Sequence, residues 1–218
     1  MDLFDRLDDV RRRWDVLEHP FYVRWSRGEL SREELADYAG QYRHAVVALA
    51  DATASAAASA GPELRPALER HAAEERAHVA LWDGFLTEVG GDSAAAPSEE
   101  TAKCATAWSG TDAGSGRPLL RSLAALYAIE ASQPAISETK RDGLVEHYGF
   151  APGSKGTEYF DLHATRDHEH AAQSRGVLEE RLSEADADAL VAEAEAVLRA
   201  NWELLDGVDR RWANALAT

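Results

Sequence analysis

The stretch His-Ala-Thr-Arg-Asp-His-Glu-His, residues 163–170, decides how this chain is read. The pattern around it is helical, and a helix turns by about 100° per residue. His163, Asp167 and His170 stand at i, i+4 and i+7, so they project within roughly 60° of one another. Two imidazoles and a carboxylate on one stripe make half of a transition-metal site. His168 falls on the far side of the helix. The other half has to come from elsewhere, and the candidates are Glu74 or Glu75 with His78, and the isolated Glu130. On its own, the Glu74/Glu75–His78 group reads as a solvated contact on an acid-rich helix. Glu130 lies in Leu-Tyr-Ala-Ile-Glu-Ala, an apolar setting where a lone carboxylate is costly to bury. Together, three carboxylates and three histidines would set −3 against the +4 of two divalent ions, the near-neutrality a dry helical core requires.

Composition narrows the function classes. The 218 residues fit one domain, 1–218, with a sizeable core. Lys and Arg number 23 against 39 Asp and Glu, a net charge of −16, so phosphate backbones and anionic membranes are repelled. No apolar run approaches the ~20 residues of a membrane span, and Met-Asp-Leu-Phe-Asp does not open like a secretory leader. The single cysteine, Cys104, excludes an internal disulfide framework and fits a reducing compartment. The expectation is a cytoplasmic protein with a small-molecule substrate and neither nucleic acid nor membrane as a partner; a homodimer is left open.

Helical periodicity dominates throughout, with no sustained alternation. Ser31 with Glu34 three residues on makes a capping box, opening a helix to about Ala60. Gly61-Pro62 breaks the chain, a second long helix runs to Val89, and residues 90–98 form a Gly/Ser/Ala/Pro linker. A shorter helix covers about 99–108, and residues 110–116 form a loop. A helix from about Arg117 to Tyr148 should kink at Pro134. The stripe helix is expected over 156–182 and a last one from Ser183 to about Leu216. The fold class is therefore all-α, a bundle of seven or so helices.

These residues resemble a known family. Tyr127-Ala-Ile-Glu-Ala-Ser-Gln-Pro-Ala-Ile136, Lys140, Gly143-Leu144, His147-Tyr148-Gly149 and Glu158-Tyr159-Phe160 leading into the stripe are similar to the heme-oxygenase-like di-iron oxidases, above all the CADD branch (chlamydia protein associating with death domains). So are His19-Pro20-Phe21-Tyr22, Trp25, Gly28 to Glu33, Gln41-Tyr42 and His78-x-x-Leu81-Trp82-x-x-Phe85, and the likeness spans about residues 17–175. It implies a seven-helix heme-oxygenase-like bundle without heme, holding two iron ions, with manganese an alternative at one position. The implied ligands are Glu74 or Glu75, His78, Glu130, His163, Asp167 and His170, with O2 as co-substrate. Two departures stand out. The branch usually has its first Glu seven residues before the His, where this chain has His71. A short deletion between Glu75 and His78 would account for that, and His71 is itself a further candidate. Ile129 also replaces an aromatic residue common in the branch.

The chemistry expected first is oxidation of a diffusible small molecule, such as an amino acid or amine, by an O2-activating metal centre. The resemblance implies an alternative, self-sacrificing synthesis of p-aminobenzoate from the enzyme's own tyrosine with a required lysine, for which Tyr22, Tyr38 and Lys140 are the matching positions. Their ordinary readings are a packing anchor and a surface base. A third possibility is a metal-free TenA-like hydrolase, which needs a cysteine nucleophile; Cys104, in Ala-Lys-Cys-Ala-Thr-Ala, reads better as a packing residue. If a dinuclear site exists, His78 should lie within about 8 Å of His163 and His170, since paired metals sit about 4 Å apart.

Overall fold

Local sequence signals set the helix ends. Ser31 accepts a hydrogen bond from the Glu34 amide at 3.1 Å while Glu34 accepts one from the Ser31 amide at 2.8 Å. This capping box satisfies two amide donors that a helix start otherwise leaves unpaired. It opens α3 (Arg32–Ser59). The Leu64–Arg65–Pro66 segment then starts α4 (Arg65–Val89), which stops at Gly90 in the left-handed conformation, φ 80°. Ser98 caps α5 (Glu99–Ser109). The computed structural model describes residues 2–111, 117–181 and 186–216, and within these there are helices and connecting segments but no strand.

Pro134 does more than kink one long helix. The chain breaks at Ala131-Ser132 into α6 (Leu119–Glu130) and α7 (Gln133–His147), with Pro134 in the first turn of α7, where its missing N–H costs nothing. The stripe lies in α8 (Glu158–Glu180), and α9 (Ala187–Leu216) follows. The expected start of that last helix at Ser183, like most of the 110–116 loop, lies outside the described residues. Two further helices, α1 (Leu3–Arg13) and α2 (Pro20–Ser26), precede these, so nine α-helices are described, with a short 3-10 turn at Val16–Glu18, where seven or so helices were expected. None of the described helices is long and apolar enough to cross a membrane.

Helix α3 packs along α4 and against α5 and α6; α8 packs against α4, α6 and α7; α9 covers α1, α5 and α6. The meeting of α4, α6 and α8 positions the site. Helix α6 is buried continuously from Ser122 to Glu130, so a carboxylate at its last residue has nowhere to go but inward. Helix α2 fixes α7 through Trp25, whose indole N–H donates to the Lys140 carbonyl at 3.0 Å. That contact needs Gly143, because a Cβ there would lie 2.7 Å from the Trp25 ring. Gly143→Ala should therefore lose about 1–2 kcal/mol in urea denaturation, overpacking against a rigid buried ring exceeding the gain in helix propensity. Unchanged or increased stability would show that Trp25 does not hold α7 in this way.

Candidate metal centre

The two stripes are built alike. On α8, His163, Asp167 and His170 follow the pattern His-x-x-x-acid-x-x-His, and all three are buried. On α4, His71, Glu75 and His78 repeat that pattern with the same spacing, and they too are buried. The stripes face each other end to end. His78 lies beside His163, with ring centroids 4.6 Å apart, and His71 lies beside His170 at 3.8 Å. Glu75 sits between the two ends, its Oε1 3.1 Å from His78 Nδ1, 3.5 Å from His170 Nδ1 and 3.9 Å from His71 Nε2. Glu130 enters from α6, its Oε1 2.8 Å from His71 Nε2. Asp167 Oδ1 lies 3.7 Å from His170 Nδ1.

Two groups of three donors satisfy the closeness a metal ion needs, His71–Glu75–His170 and Glu75–His78–His163, each with its donor atoms within 4.8 Å of one another. Glu75 belongs to both. Hydrogen bonding does not account for these donors. Among the described residues, His71 Nε2, Glu75 Oε1, His78 Nδ1, both Glu130 oxygens, His163 Nε2, both Asp167 oxygens and His170 Nδ1 are buried with no hydrogen-bond partner of acceptable geometry. Native interiors leave few such atoms unpaired, so nine on seven adjoining side chains call for a bound cation.

The outward nitrogen of His163 is engaged, and that fixes its tautomer. His163 Nδ1 is 2.7 Å from the Tyr159 carbonyl, which can only accept, so Nδ1 carries the proton and Nε2 faces the cluster as a lone pair. Electrostatics fit the same picture. Burial pushes Glu130 well above the usual carboxylate range, with Asp167 and Glu75 adding to it. Burial alone would raise Glu75 too, but His78, His163 and His71 more than offset that and leave its pKa low.

Glu74 and Glu75 face opposite surroundings. Adjacent residues point about 100° apart on a helix. Glu75 is 2% exposed and faces inward, whereas Glu74 turns out to a two-point pairing with Arg166. Glu74 is therefore not among the converging donors. His71 is, at the position seven before His78 on the same helix α4. The remaining expected donors, His78, Glu130, His163, Asp167 and His170, all converge. The sequence offered His71 as a further candidate, and the repeated stripe spacing is the signal that would have singled it out.

A second buried cluster adjoins the first. The Tyr22 and Tyr38 hydroxyls are hydrogen-bonded at 2.7 Å. Lys140, far from being a surface base, is 2% exposed, with Nζ 4.5 Å from the Tyr42 ring centre, 4.8 Å from Tyr22 and 5.5 Å from Tyr38. Tyr42 was not anticipated. The clusters are joined by aromatic contacts: Tyr159 stacks on His163 at 3.9 Å and meets Trp82 at 4.9 Å, and Trp82 meets Tyr42 at 5.1 Å. Cys104 is fully buried on α5 and burial pushes its thiol up, the opposite of an activated nucleophile.

Comparisons with known proteins agree with this arrangement. A family described as iron-containing redox enzyme matches residues 36–202. The 4-aminobenzoate synthase of Chlamydia muridarum is 30% identical over 213 residues, covering 94% of this chain and 89% of the relative. That of Nitrosomonas europaea is 30% identical over 228 residues, covering 95% and 91%. Among solved structures, a domain of unknown function with a heme oxygenase-like fold from Shewanella denitrificans superimposes with a TM-score of 0.81 at 20% identity, covering 98% of this chain and 94% of that one. A TenA homologue from P. horikoshii gives 0.68 at 20% identity, covering 94% and 96%.

Burial lowers the Lys140 pKa well below the ordinary lysine value, and none of the described ion pairs involves it. A lysine neutral when folded but protonated when unfolded costs stability at low pH, because the unfolded chain takes up the extra proton. That cost shrinks as pH rises from the lowered folded pKa to about 10.4. Lys140→Met should thus be more stable than the unmodified protein at pH 7 in urea denaturation, with the gap closing as pH approaches 10.4. A gap that ignores pH would contradict a neutral buried amine.

Proposed function

We propose that this chain, which belongs to the family of iron-containing redox enzymes and has a heme-oxygenase-like fold, is a self-sacrificing 4-aminobenzoate synthase with a dinuclear metal centre. The sequence alone put oxidation of a diffusible small molecule first. The named relatives favour the alternative, and the buried tyrosine–lysine cage beside the donor cluster is the observation that carries it. A tyrosine ring with its Cβ supplies the carbon skeleton of 4-aminobenzoate, and a neutral amine within reach supplies a nitrogen. Both are present in the buried cage.

His71, Glu75, His78, Glu130, His163, Asp167 and His170 would hold the metal ions, Glu75 being shared. Nitrogen and carboxylate donors suit iron, with manganese an alternative at one position. Such a centre, when bound, supplies activation of O2 and the oxidising power the reaction needs. The protein does the rest. Tyr159 orients His163 through its carbonyl and stacks on the ring. Trp82, held by its N–H to the Ala39 carbonyl at 2.9 Å, excludes water between the two clusters. Burial lowers the Lys140 pKa, which favours the neutral amine with its lone pair free. The Tyr22–Tyr38 hydrogen bond gives a phenolic proton from either ring a waiting acceptor.

Protein loaded with iron and then given reductant and oxygen should yield at most one 4-aminobenzoate per chain, with a matching loss of mass from the intact protein. Tyr22→Phe, Tyr38→Phe and Lys140→Ala should each cut the yield at least tenfold. Many turnovers on an added amine or amino acid, with the protein mass intact, would instead establish an ordinary oxygenase.

A further inference from the structure

Glu74 is left over from the donor cluster, yet it is tied to it. Its Oε2 lies 3.1 Å from His170 Nε2, on the side of the ring away from the cluster. Arg166 holds the same carboxylate at two points, Nε to Oε2 at 2.9 Å and Nη2 to Oε1 at 2.8 Å, and also pairs with Glu169. His170 thus presents Nε2 to a carboxylate held by Arg166 and leaves Nδ1 on the cluster side, where it has no hydrogen-bond partner among the described residues.

This triad stands at a surface opening. A cleft of about 110 Å³ is lined by Arg70, His71, Glu74, Arg166, Glu169 and His170. His71 and His170 are thus the inner wall of the cleft and, through His71 Nε2 and His170 Nδ1, the outer wall of the donor cluster. One layer of imidazole separates solvent from the His71–Glu75–His170 position. The His78–Glu75–His163 position has no residue in this cleft.

We propose that Glu74 and Arg166 form a latch that fixes His170 as a ligand through Nδ1 and governs exchange of the ion at the His71–Glu75–His170 position with solvent. The inference rests on the metal centre proposed above. Outer carboxylates on ligating histidines set ring orientation and basicity, and their loss typically weakens metal binding by about 10–100-fold. Only one of the two positions should feel it. Glu74 is a positioning residue here, acting through His170.

The test is an anaerobic titration of the full-length chain with Co2+, followed by visible absorption, and then release to excess EDTA by stopped flow. The unmodified protein should bind two Co2+, released at different rates. Glu74→Ala should weaken one Co2+ by about 10–100-fold and speed the faster release, leaving the other equivalent unchanged. Glu74→Gln, which keeps an acceptor oxygen, should fall between, and Arg166→Gln should shift in the same direction as Glu74→Ala. The melting temperature of the metal-free variants should stay within a few degrees of the unmodified protein, since the latch is half-exposed. Unchanged affinity and release in both Glu74→Ala and Arg166→Gln, or equal weakening of both Co2+, would overturn the latch while leaving the metal centre standing. An unmodified protein that binds no Co2+ would overturn the centre itself.

Discussion

Three carboxyl groups, Glu75, Glu130 and Asp167, meet in the interior of a helical bundle with most of their oxygens unpaired. Like charges so close in a low-dielectric core repel strongly, and each also loses its hydration. Four imidazoles reduce the cost only in part, since the Glu130 and Asp167 oxygens still find no hydrogen-bond partner among the described residues. Bound cations remove it. The rest of the architecture serves this cluster: α4 and α8 run so that equal stripes face each other, α6 ends where its last side chain reaches them, and Tyr159 and Glu74 hold two of the rings from behind. The marginal stability of a folded chain leaves little room for such a cluster without a compensating ligand.

Much of this was legible in the residues. The 163–170 stripe is a statement about helical period, which survives any detail of packing. The capping box at Ser31 and Glu34 is local chemistry and formed as expected. Glu130 announced itself by polarity in an apolar run. The choice between Glu74 and Glu75 was harder, because neighbours on a helix differ only in direction, and direction is set by which face of α4 meets α8. His71 was within reach of the sequence, since His71-x-x-x-Glu75-x-x-His78 has the spacing of His163-x-x-x-Asp167-x-x-His170. The burial of Lys140 was not, for a lone lysine in a helix is ordinarily solvated and only the Trp25–Gly143 contact and the surrounding rings draw it inward.

Fold alone would not have settled function. The likeness to TenA homologues at 20% identity or below concerns the bundle, and one bundle shape carries unrelated chemistries. What separates this chain from a thiol-dependent hydrolase is local: its one cysteine is buried with a raised pKa, whereas its histidines and carboxylates converge. An aromatic cage with a buried lysine lies next to the centre. Trp82 and Tyr159 belong to both clusters, so the cage and the donors share one packed core.

The central claim is that two ions share Glu75 between paired stripes. Anomalous diffraction at the iron edge, from crystals grown anaerobically with Fe2+, tests it directly. Two peaks are expected, one beside His71 and His170 and one beside His78 and His163, with the Glu75 carboxylate between them. A single peak, or iron bound away from these seven side chains, would contradict it.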